Sequence, residues 1–151
     1  MTTAKKLNLT DDSPSVQGHS AVLQSVIQRM AANSVQCKTW CVTLVSAILI
    51  LITDKNRPYL VGIGLYPIVI FGVLDAYYLG LEKQFRESYD AFVRKLHAGT
   101  LTPDDLFHVA PKGDSSKYQI QALKSFAVWG FYLSLMGLAF FVFFLLMPAA
   151  K

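Results

Sequence analysis

Residues 40–74 decide the fold: an apolar run Trp40-Cys41-Val42-Thr43-Leu44-Val45-Ser46-Ala47-Ile48-Leu49-Ile50-Leu51-Ile52, a break at Asp54-Lys55-Asn56-Arg57-Pro58, and a second apolar run from Tyr59 to Leu74. Charged residues and a proline between two such runs read as a turn at a bilayer surface. A third run, Phe126 to Met147, contains no Lys, Arg, Asp or Glu. It exceeds the ~20 apolar residues that cross about 30 Å of hydrocarbon. The pattern predicts an all-α integral membrane protein: a helical hairpin with long cytoplasmic helix extensions, plus a third, C-terminal transmembrane helix.

Composition agrees. Of 151 residues, 53% are hydrophobic and 13% aromatic, above ordinary soluble usage. The formal charge of +4 is divided by side of the membrane instead of forming a dense basic stripe, so no direct nucleic-acid partner is expected. Lys5, Lys6, Arg29, Lys38, Lys83, Arg86, Arg94, Lys95, Lys112, Lys117 and Lys124 flank the runs on one side, against Lys55, Arg57 and Lys151 on the other. Because lysine and arginine are retained in the cytoplasm, three spans with the N-terminus inside and the C-terminus outside are expected. A multi-pass membrane protein follows. The first twenty residues are polar and lack the apolar core of a signal peptide.

Residues 1–19 read as a flexible cytoplasmic tail. Val22/Leu23, Val26/Ile27, Met30 and Val35 then recur at helical spacing, predicting one helix from about Ser20 to Thr53. In the second arm Leu81, Phe85, Tyr89, Phe92 and Leu96 continue the pattern to a stop at Gly99. The hairpin therefore covers 20–99, with spans over 38–53 and 59–79 and a stalk built from 20–37 and 80–99. The stalk's two apolar stripes could cover one another, meet neighbouring protomers or lie on the membrane; mutual packing is favoured. Residues 100–119 read as a cytoplasmic loop, with Thr102-Pro103-Asp104-Asp105 capping a short helix that carries Leu106 and Phe107. Residues 120–151 form the third span and the C-terminus, the helix beginning near Ile120 in water and entering lipid at Phe126.

Lys38 and Asp75 lie eighteen and nineteen residues from Asn56 on the two arms, hence at similar depth. A charge near the hydrocarbon edge is costly alone, so a contact between them is expected, either as a structural pair or as an ion-pathway residue. Gly72, Ala76 and Gly80 form one stripe of small residues, and Ala127, Gly130, Ser134 and Gly137 another. Such stripes let helices approach closely, within a chain or between chains. Pro67 should bend the second span. Trp40, Tyr77, Tyr78, Trp129 and Tyr132 fall at the inner boundary and Tyr59 at the outer, as an aromatic belt requires.

Catalytic signals are weak. His19, His97 and His108 are scattered without carboxylate or cysteine at ligand or triad spacing and read as solvent-facing. Cys37 and Cys41 read as small apolar packing residues instead of a disulfide or a metal site. Ser115 and Ser116 lack a nucleophile elbow, and Gly62-Ile63-Gly64 lacks a phosphate loop. No enzyme activity, cofactor or metal is expected. Thr39, Thr43, Ser46 and Ser134 are the polar residues available to line a lumen.

Ile27-Gln28-Arg29-Met30-Ala31-Ala32-Asn33-Ser34, Lys38-Thr39-Trp40 and Thr43-Leu44-Val45 in the first arm, with Pro67, Phe71, Leu74-Asp75-Ala76-Tyr77-Tyr78-Leu79, Glu82, Phe85-Arg86 and Tyr89 in the second, resemble a pattern of small bacterial inner-membrane proteins. The hairpin architecture is also similar to the SLATT class of two-span effectors in antiviral systems. That resemblance implies a membrane-perturbing or channel-forming effector triggered by a cytoplasmic sensor. This chain departs from it in carrying a third span and no recognisable nucleotide-binding domain. Three helices do not enclose a hydrated path, so a pore requires a homo-oligomer in the lipid bilayer. The competing expectation is a membrane anchor that recruits a cytoplasmic sensor or effector protein through its stalk and loop.

Overall fold

The computed structural model describes residues 9–55 and 60–146. Among these the secondary structure is all helical: α1 (Pro14–Lys55), α2 (Val61–His97), α3 (Ser115–Leu123) and α4 (Phe126–Leu146), with a 3-10 turn at Pro103–Asp105. At 1.5 Å per residue α1 and α2 are each roughly 55–65 Å long, about twice a hydrocarbon core. Three helices, α1, α2 and α4, are long and apolar enough to cross a membrane. Ile50, Tyr66, Phe126 and Phe144 are each more than 60% exposed, a surface suited to lipid and not to water. The chain is a multi-pass membrane protein.

Two apolar clusters divide the hairpin. In the spans, Cys41, Val45, Leu49 and Ile52 of α1 meet Val61, Ile68 and Ala76 of α2, and Val128, Tyr132 and Ala139 of α4 close the third side. In the stalk, Val16 and Leu23 of α1 meet Phe92 of α2 and Leu101 of the following loop, with Leu9, Leu106 and Val109 against them. The two stripes of the stalk thus cover one another within the chain, and the loop folds back over them. Gln24 Nε2 donates to the Tyr89 hydroxyl at 3.2 Å across the same interface.

Several expectations are corrected. α1 begins at Pro14, six residues before Ser20, so the segment 14–19 is not a flexible tail; Val16 and His19 are buried in it. Its start is a serine before a proline: Ser13 Oγ accepts from Thr10 N, and Ser13 O accepts from Val16 N and Gln17 N. The segment after Thr102 makes only a 3-10 turn with its capping box, and Leu106 and Phe107 lie beyond it in extended and left-handed backbone. The third span does not begin near Ile120. Lys124 N caps back to Ile120 O and Ser125 N to Ala122 O, which ends α3, and Ser125 O then accepts from Val128 N and Trp129 N to start α4. α3 is pulled off the α4 axis because Ala122 is fully buried and Gln119 lies against Gly80 of α2.

The second arm ends where expected: Gly99 takes φ +65°, and its N–H bonds Leu96 O while Thr100 N–H reaches Lys95 O. α2 runs through Pro67 without ending. Residues 56–59, which hold most of the turn expected at 54–58 and the outer aromatic Tyr59, lie outside the described residues, as do residues 1–8 and 147–151.

Candidate functional site

Asp75 is wholly buried in the middle of an otherwise uncharged stretch of α2. Its partners come from α1, where Ser34 and Lys38 are one turn apart and so share the face that α2 covers. Lys38 Nζ approaches Asp75 Oδ2 at 2.5 Å, and Ser34 Oγ donates to Asp75 Oδ1 at 2.5 Å. Lys38 Nζ also reaches Ser34 Oγ at 3.3 Å, which closes a three-membered ring of polar groups. Both carboxylate oxygens are occupied, as a carboxylate in a low-dielectric helix interface requires. The lysine side chain keeps 23% exposure, consistent with an ammonium held inside while its stem runs toward the polar boundary. Sequence spacing identifies the pair but misses Ser34. Its signal is its position four residues before Lys38.

Around this ring the helices are close. Gly72 lies one turn before Ala76, and a Cβ on it would meet the Tyr132 ring at 3.5–3.7 Å. Tyr132 is 6% exposed and its hydroxyl donates to Phe71 O at 3.1 Å, so it is a packing residue between α2 and α4 and not a member of the aromatic belt. Ala76 is buried, and Gly80 faces Gln119 of α3. The stripe Gly72, Ala76 and Gly80 is therefore used inside the chain. Trp40, Tyr77 and Trp129 remain exposed, as a belt requires, whereas Tyr78 is half-buried.

The second stripe behaves differently. α4 packs on α2 through Val128, Tyr132 and Ala139, which leaves Ala127, Ser134 and Gly137 exposed on the other side, with Gly130 between. Nothing lies within 4 Å of a Cβ placed on Gly137. Thr39, Thr43 and Ser46 are exposed too, spaced along the side of α1 opposite Cys41 and Val45. Thr39 Oγ1 donates to Val35 O at 3.1 Å, Thr43 Oγ1 to Thr39 O at 2.9 Å, and Ser134 Oγ to Phe131 O at 2.7 Å. Their donors are spent on their own helices, while their oxygens still have acceptor capacity.

Cys37 and Cys41 are buried free thiols within the hairpin interface. Among the described residues no group of three His, Cys, Asp or Glu could hold a metal ion.

His19 overturns its reading as a solvent-facing residue. It is 2% exposed, packs edge-on against Phe92 at 4.7 Å between ring centroids, and accepts the Phe107 N–H at Nδ1, 2.9 Å away. That bond pins a phenylalanine held at φ +62°, a left-handed conformation that is costly for a bulky residue. The polar stalk is further tied by Lys95 Nζ to Asp105 Oδ1 at 2.6 Å. This contact and the Thr102 cap hold the Asp105 carboxyl down to about 2.

No protein-family model matches the chain, and comparison with curated proteins and with solved structures finds no match.

Proposed function

We propose that this chain is an oligomeric effector of the bacterial inner membrane that forms a pore or perturbs the bilayer, with the N-terminus and stalk in the cytoplasm and the C-terminus in the periplasm. The observation that carries this reading is a pair of unpartnered faces. Small and hydroxyl-bearing residues of α1 (Thr39, Thr43, Ser46) and of α4 (Ala127, Ser134, Gly137) point away from the chain's own core. In lipid such faces favour close helix contact, and three helices alone enclose no lumen, so the partner is another copy of the chain. The basic residues clustered at the stalk end support the orientation. The effector role, antiviral defence included, rests on the resemblance of the hairpin to the SLATT class.

A second reading has its own observation. The hydroxyls of Thr39, Thr43 and Ser134 are bonded to their own helices, and Lys38 and Asp75 are engaged inside the hairpin, so few polar groups are left to line a hydrated path. This favours a non-conducting anchor that recruits a soluble cytoplasmic partner through the stalk and the 98–119 segment. Oligomeric mass in detergent followed by ion flux from liposomes separates the two. A multimer with flux is expected; a strict monomer without flux overturns the pore.

A further inference from the structure

The stalk encloses a cavity of about 220 Å³ that none of the roles above uses. Its apolar lining is Leu23 of α1, Phe92 of α2 and Leu101 of the loop, and its polar lining is the buried His19 and Ser88 together with Lys95, Asp105, His108 and Lys112 nearer the surface. The rim loop is fixed from below. Ser88 Oγ donates to Ala110 O at 2.8 Å and accepts from Lys112 N at 3.0 Å, so the backbone that carries Lys112 is held against α2.

The donors in this cavity outweigh its acceptors. Because His19 Nδ1 accepts the Phe107 N–H, a neutral imidazole must carry its proton on Nε2. That N–H has no protein partner among the described residues, and since no buried side-chain polar atom there is left unbonded, the nitrogen keeps a narrow opening onto the cavity although the residue as a whole is only 2% exposed. The one carboxylate, Asp105, is already matched by Lys95. Lys112 has no acidic partner within salt-bridge distance among the described residues, and His108 is exposed beside it. What is left over is one ammonium, one exposed imidazole and one unbonded N–H that opens onto the cavity beside its apolar lining. A metal ion is disfavoured by the same inventory, which offers two imidazoles and a carboxylate already engaged by lysine.

We propose that this cavity binds a small organic oxyanion: a phosphate monoester whose apolar body rests on Leu23, Phe92 and Leu101 while its charged end meets Lys112, His108 and the His19 N–H. The volume lies below the roughly 300–1,000 Å³ of sites for drug-sized ligands, so the body is about the size of a single ring and a whole nucleotide is too large. As a control input to a membrane effector the site rests on the function proposed above; as a binding site it does not.

Phenyl phosphate and inorganic phosphate serve as probes, with benzyl alcohol as the uncharged control, against the full chain in nanodiscs of phosphatidylcholine. Phenyl phosphate is expected to raise the thermal midpoint saturably and to shift the imidazole resonances of His19 and His108. Inorganic phosphate should bind more weakly for want of the apolar contact, and benzyl alcohol should produce no such shift. Lys112→Gln and His108→Gln lie at an exposed rim where folding is not at stake. Each should weaken phenyl phosphate about tenfold, the worth of a charge-assisted hydrogen bond, while Lys124→Gln, outside the cavity, leaves it unchanged. No saturable response to phenyl phosphate, or a response that Lys112→Gln and His108→Gln both leave intact, overturns the site. The readout needs no ion flux, so failure here is distinct from failure of the pore.

Discussion

Asp75 shows how one residue constrains a helix pair. Removing Lys38 leaves a carboxylate at zero exposure with no cation beside it and only its hydrogen bond from Ser34 still in place, and breaking a buried pair in this way costs about 3–5 kcal/mol. Lys38→Ala should therefore lower the unfolding midpoint of the detergent-solubilised protein far more than Lys124→Ala, an exposed change worth within about 0.5 kcal/mol. Replacing both members, as Lys38→Met with Asp75→Leu, should recover much of the loss; equal melting of the two single variants would refute the pair's importance. His19 gives a prediction with a pH sign. Burial, with His108 nearby, holds its imidazole below the ordinary value, and Asp105 pulls the other way without prevailing. A histidine whose folded value is lowered contributes stability that is complete above about 6.5 and declines as pH falls from there toward the folded value. Asp105, itself matched by Lys95, stays ionised throughout that window. The imidazolium has no acceptor for the Phe107 N–H, so hydrogen-exchange protection of that amide should fall between pH 7 and pH 5. His19→Asn keeps an acceptor without the titration and should flatten the profile.

Elements reveal which parts of the chain were readable and which were not. The hairpin was legible because two uncharged runs separated by Asp54-Lys55-Asn56-Arg57-Pro58 leave one economical solution, and Gly99 stops α2 through a conformation that its sequence signal announces. The start of α1 was missed, because the polar composition of residues 1–19 hides the Ser13-Pro14 start and the buried spacing of Val16, His19 and Leu23. The break between α3 and α4 was not legible either, since Lys124-Ser125 contains neither glycine nor proline. It is imposed by tertiary contact: Ala122 is buried and Gln119 seats on Gly80. The two glycines of α2 then diverge. At Gly72 an added Cβ meets Tyr132 at ordinary contact distance, so Gly72→Ala should be neutral or stabilise by up to about 1 kcal/mol through helix propensity. At Gly80 the same methyl approaches Gln119 at 3.3 Å and its Cα at 3.4 Å, so Gly80→Leu must displace α3, an overpacking worth about 1–3 kcal/mol. Thermal unfolding that ranked Gly72→Ala below Gly80→Leu would contradict these packing assignments.

The whole molecule is built from two clusters joined by continuous helices, an arrangement that the amphipathic stripes foretell for the stalk and the apolar runs for the spans. What the stripes do not foretell is which small-residue face is used internally. Gly72, Ala76 and Gly80 and the face of Gly137 look alike as sequence, and only the placement of Tyr132 and Gln119 assigns the first to the chain's own packing. The outward faces then carry the decisive prediction. Gly137 and Thr43 are exposed, and a Cβ on Gly137 meets nothing within 4 Å, so in the single chain Thr43→Leu should leave unfolding within about 0.5 kcal/mol of the parent and Gly137→Leu should be neutral or stabilise by up to about 1 kcal/mol. Between copies the same leucines would separate helices that small residues allow to touch, a penalty of about 1–3 kcal/mol per contact. The dissociation midpoint followed by light scattering across a dilution series should move about tenfold toward higher protein concentration, with liposome flux falling in parallel. Superimposable dilution curves for parent and variants would mean that these faces meet only lipid, and the anchor would then be the better account of the chain.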